Sequence, residues 1–159
     1  MIFVTVGTIS FDDLVRHMDE AVSRGELTDV LLQIGSNGIY IPKHCEYFRA
    51  RPGIDEYYRA ADLVVGHGGT GTTLGVLEIG TRLVSVRNPT MSADHQDEFL
   101  SALERLGLVS YCRNLADLPT VIRRRLQEPK PPPCDVTRFF CAVVSDLEHF
   151  EKKASNMRM

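Results

Sequence analysis

The 159-residue chain has no tryptophan, only four cysteines and no long apolar run, and each shortage excludes something. Cys45, Cys112, Cys134 and Cys141 form no C-x-x-C pair, so neither a zinc knuckle nor a redox dithiol is encoded. Reduced thiols in a cytoplasmic protein are expected instead. No segment reaches the roughly 18 consecutive apolar residues of a membrane span. The apolar start, Met1 to Val6, lacks the basic n-region and the length of a signal peptide. Positive charge is not in excess either: 18 basic against 21 acidic residues give a net charge of −3, so no overall field invites nucleic acid. The run Arg123-Arg124-Arg125 falls in a helical pattern and reads as a solvated face. The chain also lacks an Asp-x-Asp pair of the kind that holds a divalent cation, and no lysine follows its glycine loops as a P-loop requires.

What is present is an ordinary globular composition, 43% hydrophobic and 25% charged, in a length suited to one core. Short apolar runs alternate with amphipathic segments, the pattern of βα units around a mostly parallel sheet. Strands are expected at Ile2 to Val6, Val30 to Ile34, Glu46 to Arg49, Leu63 to Val65, Leu83 to Val86 and Val109 to Cys112. Helices are expected at Phe11 to Val22, Ile54 to Ala60, Thr72 to Ile79, His95 to Leu106 and Leu115 to Leu126, with Asp94 and Asn114 placed to cap the last two. Residues 1–128 therefore read as one domain. Residues 129–135, rich in proline, read as a stiff extended connector. Beyond it a further helix, Val136 to Phe150, carries an apolar face that must be buried, over the domain's own sheet or in part on a partner chain, and the tail to Met159 is polar.

The most distinctive stretch is Ala61 to Thr73, where Leu63-Val64-Val65 empties into Gly66-His67-Gly68-Gly69-Thr70-Gly71 and then into a helix starting near Gly71. Glycines let backbone N–H groups approach an anion with no Cβ in the way, and a helix N-terminus adds partial positive charge. The segment has the build of a phosphate cradle. Gly66, Gly68 and Gly71 satisfy G-x-G-x-x-G, yet the motif follows about the fourth strand, strand two ends in Gln33 rather than an acid, and Asp94 comes too late to hold a ribose. On the residues alone, a nucleotide cradle, an NAD(P) site and a purely structural turn stay open. The first strand ends in a similar loop, Val6 to Phe11, which in a parallel sheet points to the same edge, so Gly7 and Thr8 join the candidate site.

Taken in order, these segments resemble the family 28 glycosyltransferases. The resemblance is carried by Phe3-Val4-Thr5-Val6-Gly7-Thr8 with Phe11-Asp12-Asp13-Leu14, by Leu32-Gln33-Ile34-Gly35, by Ala61-Asp62-Leu63-Val64 with His67-Gly68-Gly69-Thr70-Gly71, and by Asp94-His95-Gln96. It runs from Met1 to about Leu126. Within the family it is nearest to the small catalytic subunits of split transferases, those of dolichol-linked UDP-N-acetylglucosamine transfer and of bacterial exopolysaccharide synthesis. It implies an α/β fold, a single Rossmann-like, doubly wound sheet with helices on both faces, forming the donor-binding half of a GT-B enzyme. It further implies a UDP-sugar donor, a lipid-linked saccharide acceptor, no metal cofactor, and a membrane-anchored second subunit holding this chain at the cytoplasmic membrane face. A dinucleotide-binding enzyme and a non-catalytic regulatory subunit are the alternatives.

The resemblance also distributes roles. Gly68, Gly69, Thr70, Gly71 and Thr72, helped by Gly7 and Thr8, would stabilise the departing UDP through N–H dipoles. His67 falls beside the donor phosphates, and His95 and Gln96 fall against the transferred sugar, so His67 and Gln96 are the catalytic candidates; the amide of Gln96 both donates and accepts. Glu78 is the ribose candidate of the split branch, whereas the peptidoglycan branch carries its ribose glutamate at the position of Gly75. A proline commonly found two residues after the glycine matched by Gly80 is replaced by Arg82. Arg51 to Ile54 fall near the base. Asp12 and Asp13 read as partners of a helix dipole. No general base is visible, and the partner subunit is expected to supply it.

Overall fold

The computed structural model describes residues 1–90 and 93–136. Six strands, β1 (Ile2–Thr5), β2 (Val30–Gln33), β3 (Glu46–Phe48), β4 (Leu63–Gly66), β5 (Arg82–Val86) and β6 (Ser110–Cys112), alternate with α1 (Asp12–Ser23), α2 (Ile54–Ala60), α3 (Thr70–Ile79), α4 (Ala93–Arg105) and α5 (Leu118–Gln127). All strand pairs are parallel and the order is β3-β2-β1-β4-β5-β6. That is the doubly wound order, which reverses between β1 and β4.

Period-two alternation sends successive side chains to opposite faces, and both faces are covered, so the central strands β1 and β4 are buried throughout. Ile2, Val4, Leu63, Val65, Val84 and Leu32 meet α1 and α5 through Leu14, Val15, Met18, Leu118 and Ile122. Phe3, Val64 and Leu83 meet Tyr58, Val76, Leu77 and Leu103 of α2, α3 and α4 on the other side. Phe3 and Phe48 bracket Tyr57 at ring distances of 5.2 and 4.9 Å, closing that layer at the β3 edge. Cys45, Cys112 and Cys134 are free thiols, and burial pushes the Cys45 thiol up to about 12, so it is inert.

The expected elements are found, with shifts at their ends that have local causes. Helix α3 begins at Thr70 rather than Thr72, because extended Gly69 already offers its carbonyl to Thr73 N at 3.0 Å. Helix α4 begins at Ala93, so Asp94 lies within its first turn instead of preceding it. Asn114 does cap, its side chain accepting from Ala116 N at 3.0 Å, but what it opens is a 3-10 turn at Leu115–Asp117. Pro119 then falls near the start of α5, where its missing N–H costs nothing.

Residues 129–135 carry no helix or strand, and they are no free spacer. Cys134 N donates to Leu77 O at 3.0 Å, Lys130 Nζ reaches Ala61 O at 3.2 Å, and Cys134 and Val136 pack on the α2–α4 layer. The strap crosses the C-terminus of α3 directly over Gly80. A Cβ there would lie 2.8 Å from Pro133 N and 2.9 Å from Pro131 O, and Gly80 has φ +81, so glycine is required twice over. The helix expected from Val136 to Phe150 lies, beyond Val136, outside the described residues, as does the tail.

Candidate functional site

The topology brings the two glycine loops together. Because β1 and β4 are neighbours in register, Thr5 opposite Gly66, the chain leaves both strands side by side at the carboxyl edge of the sheet. The strand order reverses here, and in doubly wound sheets the crevice that takes a ligand is the one between loops diverging to opposite faces from such a switch point.

The β1 loop is tied down by a side chain that the sequence reading did not place in the site. Gln33, 4% exposed at the end of β2, accepts from Thr5 Oγ1 at 2.6 Å and from Gly7 N at 3.1 Å, while its Nε2 donates to Gly7 O at 2.9 Å and to Arg49 O at 2.8 Å. One amide thus grips both ends of the Gly7 residue and fixes its left-handed conformation, φ +66. A glutamine ending a strand is a signal only once β1 and β2 are known to be adjacent. Gly7 N–H is consumed inside the protein, so Gly7 shapes the loop and exposed Thr8 is the residue presented to the crevice.

The β4 loop runs straight into α3. No side chain caps this helix, and Gly69 at the cap position is extended at φ −66, ψ 140. The first-turn N–H groups of Thr70, Gly71 and Thr72 have no intrahelical acceptor and open onto the crevice, with Thr70 and Gly71 exposed. Open donors on an uncapped ten-residue helix have the chemistry to accept an anion.

His67 is 7% exposed, and its Nδ1 is buried without a hydrogen-bond partner among the described residues. Burial pushes its pKa below the ordinary value, opposed in part by the Thr5 backbone, so the ring is neutral at physiological pH. Its Cε1–Nε2 edge lies between Gly7 and Gly69. Gln96 approaches from α4. Its Nε2 donates to His67 O at 3.3 Å and stands beside Gly68, where a Cβ would come within 2.8 Å of it. His95 is exposed on the first turn of α4. Two further polar atoms at this edge are buried without partners among the described residues, Ser85 Oγ and Asn88 Nδ2. Asn88 Oδ1 accepts from Thr90 N and Oγ1 at 3.1 and 2.7 Å, bracing the segment that leads toward α4. Neither residue carried a sequence motif that would have singled it out.

Gly7, Thr8, His67, Gly68, Gly69, Thr70, Gly71, Thr72 and Gln96 are thus gathered at one edge, with His95 nearby. Glu78 is not among them. It lies eight residues past Thr70, roughly 12 Å along α3 by the helical rise. There it lines a depression of about 430 Å³ with Asp55, Arg59, Gly75 and Ile79. Asp12 stands in the first turn of α1 with Asp13, as a helix-dipole partner should, and it also accepts from Ile39 N at 3.1 Å and Tyr40 N at 3.2 Å. Buried Asp19 takes Tyr40 Oη and the N–H groups of Lys43, His44 and Cys45, so α1 anchors the β2–β3 loop at two points. Among the described residues no group of three or more His, Cys, Asp or Glu side chains is placed to hold a metal ion, and no helix is long and apolar enough to cross a membrane.

The sequence profile of the glycosyltransferase family 28 C-terminal domain matches residues 1–136, the whole of the architecture just described. The chain belongs to this family. It is a glycosyltransferase domain. Its curated relatives include the UDP-N-acetylglucosamine transferase subunit ALG13 of Homo sapiens, 34% identical over 123 residues and 70% of this chain, and that of Mus musculus, 35% identical over 122 residues and 69% of this chain. The chain spans only about a tenth of the length of these relatives, 11% and 10%. Among solved structures, MurG of Acinetobacter baumannii matches with TM-score 0.63 at 19% identity, over 77% of this chain and 40% of that one. A solution structure of ALG13 matches with TM-score 0.59 at 21% identity, over 84% and 89%. These likenesses establish the fold: a Rossmann-like domain of GT-B type.

Within this family 28 domain, the departure at Arg82 has a structural use. Its guanidinium donates to Glu128 O at 2.7 Å and to Asp62 O at 3.1 Å, tying the start of β5 to the end of α5 and to the turn before β4. The departure at Gly75 also makes sense locally. Gly75 and Glu78 are three apart on one helix face and line the same depression.

Proposed function

We propose that this domain is the donor-binding catalytic subunit of a two-component glycosyltransferase, moving N-acetylglucosamine from UDP-N-acetylglucosamine to a lipid-linked saccharide. The observation that carries the reading is the uncapped N-terminus of α3 at the switch point beside the β1 loop. Its open N–H groups are preorganised where a diphosphate leaving group gains charge, and fixed dipoles supply that stabilisation without a metal. The identity to the ALG13 subunits supports the choice of nucleotide and sugar.

The pyrophosphate lies on Thr70, Gly71 and Thr72, with Thr8 across the crevice, and His95 and Gln96 face the sugar hydroxyls. The ribose is held by Glu78. Helical side chains lean toward the N-terminus and cover the turn before their own Cα, so a carboxylate on Glu78 reaches back over side-chain-free Gly75. This returns it to the depth at which the peptidoglycan branch keeps its glutamate. The acceptor and the general base come from a second, membrane-anchored chain that closes the open edge of the sheet. A half-open cleft neither orients an acceptor nor excludes water. Through that chain the domain works at the cytoplasmic membrane face.

Calorimetry of the full chain in EDTA tests the reading. UDP and UDP-N-acetylglucosamine are expected to bind, and NAD(H) to bind at least tenfold more weakly. Glu78→Gln should weaken UDP several-fold while leaving inorganic pyrophosphate unchanged. Preference for NAD(H), or a requirement for magnesium, sinks the proposal.

A further inference from the structure

We infer that His67 is a positioning residue: its imidazole is a wedge that spaces the two glycine loops, Gly7 and Gly69 are glycines to make room for it, and Gly71 is the glycine that faces the ligand. A Cβ at Gly69 would overlap His67 Nε2 and lie 2.8 Å from Cε1, and a Cβ at Gly7 would lie 2.7 Å from Cε1 and 3.3 Å from Nε2. The same ring edge obstructs both positions. At Gly69 the backbone gives no other reason for glycine, since φ −66 and ψ 140 are open to any L residue. Gly71 is the opposite case. It has nothing within 4 Å, so a side chain there would enter the open space in front of the helix N-terminus.

The ring is placed by the sheet. His67 follows Gly66, which pairs with Thr5, so the imidazole comes up beside Gly7, two residues past Thr5. Gln33 grips the Gly7 N–H and C=O, and the His67 ring stands where a Gly7 side chain would go. Gly7 is therefore set by two buried side chains. The ring edge occupies the space that a side chain on either loop would need, and close-packed interiors transmit such a spacing without slack. The consequence for donor binding rests on the function proposed above; the wedge itself does not. An uncharged ring suits this role, and sets His67 apart from a group that must carry charge to the phosphates.

The test compares Gly69→Ala, His67→Ala, the double variant and Gly71→Ala by thermal unfolding and by titration with UDP. Gly69→Ala is expected to lower the unfolding midpoint by roughly 3–8 °C, the range for overpacking in a domain of this size. It should also weaken UDP about tenfold. Adding His67→Ala should recover at least half of the lost midpoint and bind UDP at least threefold better than Gly69→Ala alone. Gly71→Ala should weaken UDP while moving the midpoint by less than half as much as Gly69→Ala. A double variant no more stable than Gly69→Ala overturns the wedge, because the obstruction would then not be the ring. If Gly69→Ala does not fold, a soluble double variant supports the wedge and an insoluble one overturns it. Recovery of the midpoint in a protein whose wild type ignores UDP sustains the wedge and sinks the donor site, so the two failures are distinguishable.

Discussion

The two ends of helix α3 are built in opposite ways. At its C-terminus the carbonyls of Val76 and Leu77 are occupied: left-handed Gly80 donates to Val76 O at 3.1 Å, Thr81 N reaches the same carbonyl at 3.3 Å, and the proline strap delivers Cys134 N to Leu77 O at 3.0 Å. Thr81 Oγ1 is bound as well, to Tyr58 O at 2.8 Å. At its N-terminus nothing corresponds among the described residues, neither a capping side chain nor an acidic residue in the first turn. Both ends leave the same number of orphan groups in principle. One end is thus satisfied from within the chain, while the other keeps its first-turn donors without a capping side chain among the described residues. The open end lies where strand order reverses, and the closed end lies far from it.

The comparison breaks most visibly at the closed end. Gly80→Val adds a β-branched side chain at φ +81 and drives it into Pro131 and Pro133. A loss of about 3–4 kcal/mol is expected, a fall in midpoint of roughly 10 °C, with UDP still bound below the transition. Guanidinium unfolding with UDP titration measures both. The open end should respond in the reverse sense. Gly71→Asp places a carboxylate among the first-turn N–H groups, raising stability by about 0.3–1 kcal/mol while excluding an anion by charge and bulk. UDP affinity should fall by at least about 2 kcal/mol, near thirtyfold, and unchanged affinity would show that the helix terminus is not the phosphate site.

The smallest effect concerns pH. The folded-state pKa of His67 lies below the ordinary 6.5, so the unfolded chain takes up the proton first as pH falls. The stability this contributes is complete above pH 6.5 and is lost as pH drops through the folded value. His17, also lowered by burial, acts in the same direction. Wild type should be flat from pH 7 to 8.5 and decline below 6.5, and the decline should be shallower in His67→Asn. An identical slope in the variant would mean that His67 is not held neutral by the fold.

Much of the architecture was legible because it depends on periodicity. Alternation in Ile2-Phe3-Val4 and Leu63-Val64-Val65, and glycines after two strands, mark a parallel sheet with loops at one edge. Short β3 was visible as a brief apolar run. What was not legible depends on who neighbours whom. Gln33 looks like a polar strand end until β2 lies beside β1, and the strap of residues 129–135 looks like a tether until Gly80 lies beneath it. That a side chain on Gly69 would meet the ring of His67 is not visible until β4 lies beside β1.

The sequence by itself determined the fold class, the glycine-rich build of the β4–α3 turn and its family, because glycine spacing and hydrophobic period are local properties of the chain. Tertiary structure alone decided which glycine faces outward, which side chains consume the Gly7 amide, and that Glu78 stands beyond Gly75 rather than beside the loop. Those are relations between residues such as Gly7 and Gln33, 26 positions apart, brought within hydrogen-bond distance by strand pairing. Distances of that kind are set by packing, and no one-dimensional pattern contains them.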